Sequence, residues 1–423
     1  MQNSVTYTKN IELAYSCDIA VAGGGIAGVC AAIAAAKHGA SVILVERFGI
    51  PGGNATSGGV AAFCGENAGQ GAVFDEISAM LETLHAIGPY TPYPKDNRKF
   101  NHELLPFVLN SLLEKYQVRL LYHTRVADCI VEDGQITHLI ISGPSGMQAI
   151  GAGYVIDCTG DACVARAAGF RVMKGRESDG MQLPMSEMFF VRHQTSAQCV
   201  PEGLLARIKD QDELPMTSIW PNGPGGNAIK VKIPKFDATD TESLTAAEIF
   251  ARKRALQVTE YFKTVEGREW MFDRCSPIIG IREGARILGD CVLAVDDLRK
   301  GRQFGDAVAV GYYCLDGHSP DDDKRTYILP KDELAVPPYH IPLRCLIARD
   351  GKNLMMAGRC LSADQLALSS ARVMTTCAMT GQAAGMACAF ASAEKTEVRK
   401  ICVSALQNAL TENGAVLAIG RFN

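Results

Sequence analysis

A chain of 423 residues can bury a large core and divide into two domains that share one site. Apolar residues make up 47% and charged residues 21%, with a net charge of -4; this is ordinary globular composition without the basic excess of a nucleic-acid binder. No run reaches the roughly 18 apolar residues of a membrane span, and the opening "MQNSVTYTKNIELAYS" has neither the basic nor the apolar region of a secretory signal, so a cytoplasmic protein with no membrane partner is expected. The 15 cysteines include no C-x-x-C pair, which argues for reduced, mostly buried thiols and against zinc ribbons, iron–sulfur clusters and dithiol relays. No metal site is expected.

Residues 18–22 are a short apolar run, three glycines follow, and small residues continue at helical spacing to Lys37. "HGA" stops that helix and "SVILVE" is a second β-branched strand, which completes a βαβ unit. Its turn reads Gly23-x-Gly25-x-x-Gly28. The first glycine permits the tight turn, the second lets a pyrophosphate approach the backbone, and the third lets helix and strand pack closely. The first helical residues, Ile26 and Ala27, offer free N–H groups and the positive end of the helix dipole. Glu46 ends the second strand, eighteen residues after Gly28, where a carboxylate accepts hydrogen bonds from an adenosine ribose. A dinucleotide is therefore expected. In a simple NAD dehydrogenase another helix follows, whereas here "PGGNATSGG" supplies a backbone-rich loop suited to a larger flat ring.

Further along, residues 72–88 and "NHELLPFVLNSLLEKYQ" read as helices. "VRLLYHTRVADCIVEDGQITHLIISGPSGMQAIGAGYVIDCTG" reads as several strands joined by tight "EDG" and "PSG" turns. From about 175 to 344 the texture changes to long polar loops, Pro and Gly clusters such as "WPNGPGGN", and one helical run, "TAAEIFARKRALQVTEYFKTVEG". The chain then returns to a strand, "NLMMAG", a loop, and a helix of small residues.

These segments together resemble the FAD-dependent oxidoreductase family of the glutathione-reductase-like flavoprotein superfamily, in its fumarate-reductase-like branch. The resemblance rests on "GGGIAGVCAAIAAAKHGASVILVER", "PGGNATSGGV", "YVIDCTGDACVARAAG", "GIREGARILGDCVLAVDDLRKGRQFGDAVAVG", "YHIPLRCLI" and "NLMMAGRCLSADQLALSSARVMTTCAMTGQAAGMA". It implies an α/β protein: a discontinuous Rossmann-like FAD-binding domain (1–174 and 345–423; parallel sheet with β-meander) and an inserted α+β substrate domain (175–344). By the same resemblance Gly23, Gly25 and Gly28 hold the FAD pyrophosphate, Glu46 the ribose, and Arg47 lies beside the adenine. Gly52, Gly53 and Asn54 run along the ribityl chain and ring, and Val126 offers backbone groups to adenine. Thr159, Gly160 and Asp161 return the chain past the cofactor. Gly358 and Arg359 occupy the C-terminal FAD motif, although many superfamily members carry Gly-Asp there. Arg372, Val373 and Met374 open the last helix, whose dipole stabilises negative charge at the reduced ring.

Covalent relatives often attach FAD through a His in the loop equivalent to 52–59, and this loop has none, so non-covalent FAD is expected, with Cys64 the nearest nucleophile. Gly151 and Gly153 do not complete a second G-x-G-x-x-G, which with the missing C-x-x-C disfavours a pyridine-nucleotide disulfide reductase. A flavin oxidoreductase needs a proton-transfer group and cations near the substrate. "GIREGAR" (Arg282, Arg286), "CLDGHSP" (Asp316, His318) and "PPYHIPLRC" (His340, Arg344) supply candidates. The reading is hydride transfer between a small polar substrate and flavin N5, with His318 moving a proton and Arg282 and Arg344 orienting the substrate. His193 and His340 are weaker alternatives. The electron partner is open, and a tRNA-modifying flavoprotein or a non-enzymatic flavin binder are the competing functions.

Overall fold

In the computed structural model, which describes residues 5–201, 203–324 and 327–422, strand β1 (Glu12–Ala22) runs through the glycine turn into helix α1 (Ile26–Lys37) and on to strand β2 (Val42–Val45). The strands pair parallel, Ile19 opposite Val42 and Ala22 opposite Val45. Successive side chains on a strand point to opposite faces, and both faces here are covered. Ile19, Val21, Val42 and Leu44 join α1 in one buried cluster, while Ala20, Ala22, Ile43 and Val45 join another. That double burial is why the two strands read as continuous apolar runs.

Strand β3 (Arg119–Leu121) adds beside β2, again parallel. Strands β4 (Arg125–Glu132), β5 (Gln135–Gly143) and β6 (Gly146–Asp157) form an antiparallel meander whose last strand also lies parallel to β1. The order β3-β2-β1-β6-β5-β4 is the expected parallel sheet with its β-meander.

A second sheet, all antiparallel, takes the order β8-β9-β7-β10 from strands β7 (Met185–His193), β8 (Thr217–Pro221), β9 (Gly226–Ile233) and β10 (Trp270–Cys275). Helix α2 (Thr241–Thr264) starts where the Asp240 carboxylate accepts the Ser243 N–H at 2.8 Å, and packs under one face of this sheet. Phe189, Val191, Ile229 and Val231 meet Ala247, Ala251 and Ala255, small residues four apart that let helix and sheet approach. The alternate residues Ser186, Met188, Ser218, Trp220, Ala228 and Lys230 line a cavity on the other face.

Glu187 is carried on the apolar face, only 1% exposed. Burial pushes its carboxyl from the usual 4.5 up to about 8, and nearby Glu248 adds to the effect. The folded chain thus keeps a proton that the unfolded chain releases near pH 4.5, so stability falls as pH rises from about 4.5 to 8 and is level beyond. Glu187→Gln removes that dependence. Its melting temperature is expected to gain on the parent across this window and to show no further gain above pH 8, as thermal melts at graded pH would read; a pH-independent difference contradicts the argument.

Strand β11 (Leu354–Met356) rejoins the first sheet beside β6, and helix α3 (Met374–Glu394) follows. Helix α3 crosses α1 backbone to backbone: a Cβ on Gly381 would overlap the carbonyl oxygen of Ala27, and one on Gly385 that of Ala31. Leu293, Leu298, Val308, Leu315, Tyr339 and Ile341 share the core cluster of α1 and α3. The boundary expected at 345 therefore does not coincide with a change of core; the separate core belongs to the sheet of residues 185–275 and α2. Among the described residues no helix is long and apolar enough to cross a membrane.

Candidate active site

A cavity of about 1120 Å³ lies between the two sheets' units, lined by the glycine turn on one side and by the second sheet on the other. It exceeds the roughly 300–1,000 Å³ typical of pockets for drug-sized ligands, which leaves room for a dinucleotide and a second small molecule. Gly25, Ile26 and Ala27 are in its wall, and the space where a Gly25 Cβ would stand is empty to 4 Å, so that stretch of backbone is bare toward a ligand. Gly23 turns with φ +95° and its missing Cβ would lie 2.6 Å from the Cys158 carbonyl oxygen. Gly28 is not in the wall; a Cβ there would overlap the Gly23 carbonyl oxygen, the close packing its place in the motif calls for. The Glu46 carboxylate lines the cavity, with Oε2 accepting the Gly24 N–H at 2.6 Å and Oε1 that of Phe48 at 2.8 Å. Burial raises its pKa and these two N–H groups oppose the rise. Anchored this way, each oxygen keeps lone pairs for sugar hydroxyls.

Arg47 and Val126 line the same cavity. So do Gly52, Gly53 and Asn54, and the Asn54 amide donates to the Ile281 carbonyl at 2.8 Å, which ties the glycine loop to the segment carrying Arg282. Thr159 and Gly160 are in the wall, whereas Asp161 is not. Asp161 sits behind it, facing Arg47 at 3.7 Å and Arg359 at 3.6 Å. Gly358 and Arg359 line the cavity, and the Arg359 Nε is buried with no hydrogen-bond partner. Arg372, Val373 and Met374 complete this part of the wall. Val373 is the N-cap of α3 and has no side-chain cap, which leaves the first N–H groups of that helix free of intrahelical partners. A bare glycine backbone, two uncapped helix starts and an orphaned guanidinium donor in one cavity fit a dinucleotide carrying phosphates and an electron-poor ring.

One corner of the cavity is built around Asp316. Its Oδ2 accepts from Arg282 Nη2 at 2.5 Å and from Arg372 Nη2 at 3.1 Å, and its Oδ1 faces His318 Nε2 at 2.9 Å. Burial works against its charge, yet Arg282, the hydrogen bond from His318 and Arg372 hold the carboxyl well below the usual range. An ionised Asp316 requires the proton on Nε2 of His318, so Nδ1 is the bare acceptor, and Nδ1 is buried with no hydrogen-bond partner. Burial, helped by Arg282, pushes the imidazole down to about 4. His318 is therefore neutral at pH 7, able to accept a proton and without one to give. Arg372, expected at the ring through its helix, is drawn into this corner: Asp316 binds it, and its Nε is a second orphaned donor. Lys230 and Tyr313 also line the corner and were not singled out from sequence. The signal for Lys230 was there in "AIKVKI", a lysine set among apolar alternates on one strand.

Arg344 lies outside this cavity. Its side chain is 53% exposed and bound to Asp306 at 2.9 Å. Arg286 is buried against Glu283 and the Gly175 carbonyl, a structural pairing. His340 accepts the Phe304 N–H and bonds the Leu417 carbonyl, and His193 pairs with Asn227; neither is in the cavity wall.

Among solved structures the fold is similar to OxyS anhydrotetracycline hydroxylase from Streptomyces rimosus (12% identity, TM-score 0.50, 93% of this chain and 65% of that one). It is also similar to p-nitrophenol 4-monooxygenase PnpA from Pseudomonas putida DLL-E4 (12%, 0.50, 95% and 88%) and to the myxobacterial chondrochloren halogenase CndH (12%, 0.50, 95% and 79%). The chain thus spans just under two thirds of the hydroxylase, and identities this low speak for the fold alone. No curated protein matches the sequence. The sequence profile of one family, described as FAD dependent oxidoreductase, matches residues 18–410. With that match over nearly the whole chain, and a cavity whose wall is built for a dinucleotide, the protein belongs to the FAD dependent oxidoreductase family and is an enzyme that uses FAD.

Proposed function

We propose that this enzyme exchanges hydride between a carbon of a small polar substrate and flavin N5, with FAD held non-covalently, and that residues 185–275 form the substrate-facing unit. The observation that carries the reading is the bare, buried His318 Nδ1 held by Asp316 in the same cavity as the nucleotide-binding glycines. Bound flavin supplies two-electron acceptor and donor chemistry. When a substrate C–H gives up hydride, the adjacent O–H or N–H proton passes to His318 Nδ1, and Asp316 stabilises the imidazolium that forms. In the reverse direction His318, neutral at rest, must first take up a proton from solvent before its Nδ1 can deliver one. Arg282 and Arg372 orient the substrate's polar end through donors not given to Asp316. Cys64 supports non-covalent attachment, because burial pushes its thiol up to about 11 and keeps it protonated. The glycine-rich loop at 51–59 supports placing the chain in the fumarate-reductase-like branch.

The test is direct. The purified protein should be yellow, release intact flavin on acid treatment, and be bleached anaerobically by at least one of a panel of hydroxy acids, sugars and amines. His318→Gln should retain FAD and slow that bleaching by about 100-fold or more. The parent rate should fall as pH drops toward 4, where His318 takes up its proton. A colourless protein that takes up no FAD overturns the cofactor reading, and an unimpaired His318→Gln enzyme overturns the base.

A further inference from the structure

Arg282 and Arg372 both spend a guanidinium nitrogen on Asp316. Lys230 stands in the same corner under different terms. It projects from β9 on the cavity face, between core residues Ile229 and Val231 that point the other way. Its Nζ lies 5.5 Å over the ring of Trp220 on β8, within range of a cation–π contact. Among the described residues it has no carboxylate partner and no hydrogen-bond acceptor.

The groups facing it are Arg282 after β10, Asp316 in the 307–318 segment, Arg372 before α3, and Cys64 beyond the glycine loop. Tyr313 and Tyr327 complete the wall. Cys64 stays a thiol and His318 stays neutral, so three cations face one carboxylate. A surplus of positive charge in a part-buried corner is unfavourable unless an anion arrives. An ammonium is a compact point charge with three donors, suited to one small anionic group.

We propose that Lys230 is the substrate-recognition residue of this site and that the substrate is a small carboxylate, its anionic group seated on the Lys230 ammonium within the Arg282–Asp316–Arg372 corner. The inference rests on the flavin-site reading above and names its substrate class. The two guanidiniums are tied to Asp316, so Lys230 is the cation that discriminates charged from neutral ligands. Burial, with Arg282 next, pushes the ammonium down to about 8, so it is charged at pH 7 and loses its charge one unit above. Anion binding must therefore fade as pH rises through 8.

The experiment uses acetate, pyruvate and benzoate against acetamide, pyruvamide and benzamide, with sodium phosphate as a separate arm. Two readouts are taken on FAD-loaded and FAD-free protein: perturbation of the flavin absorbance, and protection of Lys230 from acetic anhydride, mapped by peptide mass. At least one carboxylate should perturb the flavin and slow Lys230 acetylation, while its amide does neither. Lys230→Met should keep FAD and weaken that carboxylate about 30-fold, and Lys230→Arg should restore most of the affinity. Parent affinity should fall about tenfold per pH unit above 8. Equal binding of acid and amide overturns the proposal, as does undiminished carboxylate binding by Lys230→Met or protection by phosphate but by no carboxylate. Protein that takes up no flavin yet shows carboxylate protection of Lys230 overturns the flavin reading and leaves this one standing.

Discussion

Gly381→Ala, a change of one methyl group, is expected to lower the melting temperature and the FAD content of the purified protein together. In an exposed helix the same change stabilises by nearly 1 kcal/mol, because alanine is the better helix former. Here the added Cβ would overlap the carbonyl oxygen of Ala27, and Gly385 stands in the same relation to Ala31 one turn on. Backbone atoms of two packed helices cannot swing aside as a flexible side chain does, so α3 must lift away from α1. Overpacking of that kind typically costs about 1–3 kcal/mol, enough to cancel the propensity gain and reverse the sign. The displaced elements are the site itself. Ala27 lies in the first turn of α1 and Met374 opens α3, and both line the cavity. Flavin occupancy should therefore fall along with stability, and Gly381→Leu should leave no folded holoprotein. Gly305, where a Cβ would meet nothing within 4 Å, is the control, and Gly305→Ala should behave as the parent. Differential scanning calorimetry and flavin absorbance per protein measure both quantities. A Gly381→Ala protein with parental melting and full flavin would show that the helix crossing does not fix the site.

That crossing also shows what a linear reading sees and misses. "GQAAG" was legible as a helix of small residues at an anion site, but its partner, the carbonyl edge of α1, lies more than three hundred positions away. The βαβ unit was legible because its requirements are local: a glycine turn, a helix made mostly of small residues, and β-branched runs buried on both faces. The Asp316 corner was legible only in its members: Arg282, Asp316, His318 and Arg372 each stood out in the sequence, but their meeting from three segments did not. Arg282 and Arg344 look alike as sequence, each an arginine in an apolar stretch, yet one is buried on Asp316 and the other half-exposed on Asp306. Core membership divides the chain differently from the texture that suggests a boundary at 345. Pro- and Gly-rich texture reports how a segment's loops meet solvent, not which core its few apolar residues enter, and Leu293 to Ile341 enter the first.

Asp316→Asn should be the most damaging polar substitution in the cavity, although it preserves size and shape. The wild-type carboxylate needs both oxygens as acceptors, Oδ2 for Arg282 and Arg372 and Oδ1 for His318. An asparagine has one acceptor oxygen and an NH₂ that donates. If its oxygen faces the arginines, its NH₂ meets His318 Nε2–H; if it is flipped, the NH₂ meets two guanidiniums. Either way a donor faces a donor, and two largely buried cations lose their counter-ion. Removing one partner from a buried pair costs about 3–5 kcal/mol, and the tautomer that leaves His318 Nδ1 bare is no longer enforced. The expected result is lower thermal stability together with at least a 100-fold loss in the rate of flavin reduction, about 2.7 kcal/mol in the barrier. Asp316→Ala tests the cause, because it opens space where formate can enter. Formate should restore part of the stability and rate to Asp316→Ala and nothing to Asp316→Asn, whose side chain fills the gap. Melting curves and anaerobic flavin reduction with and without formate separate the outcomes. If Asp316→Asn keeps parental stability and rate, then Asp316 neither holds the arginines nor sets the tautomer of His318, and the proton path proposed through His318 fails with it.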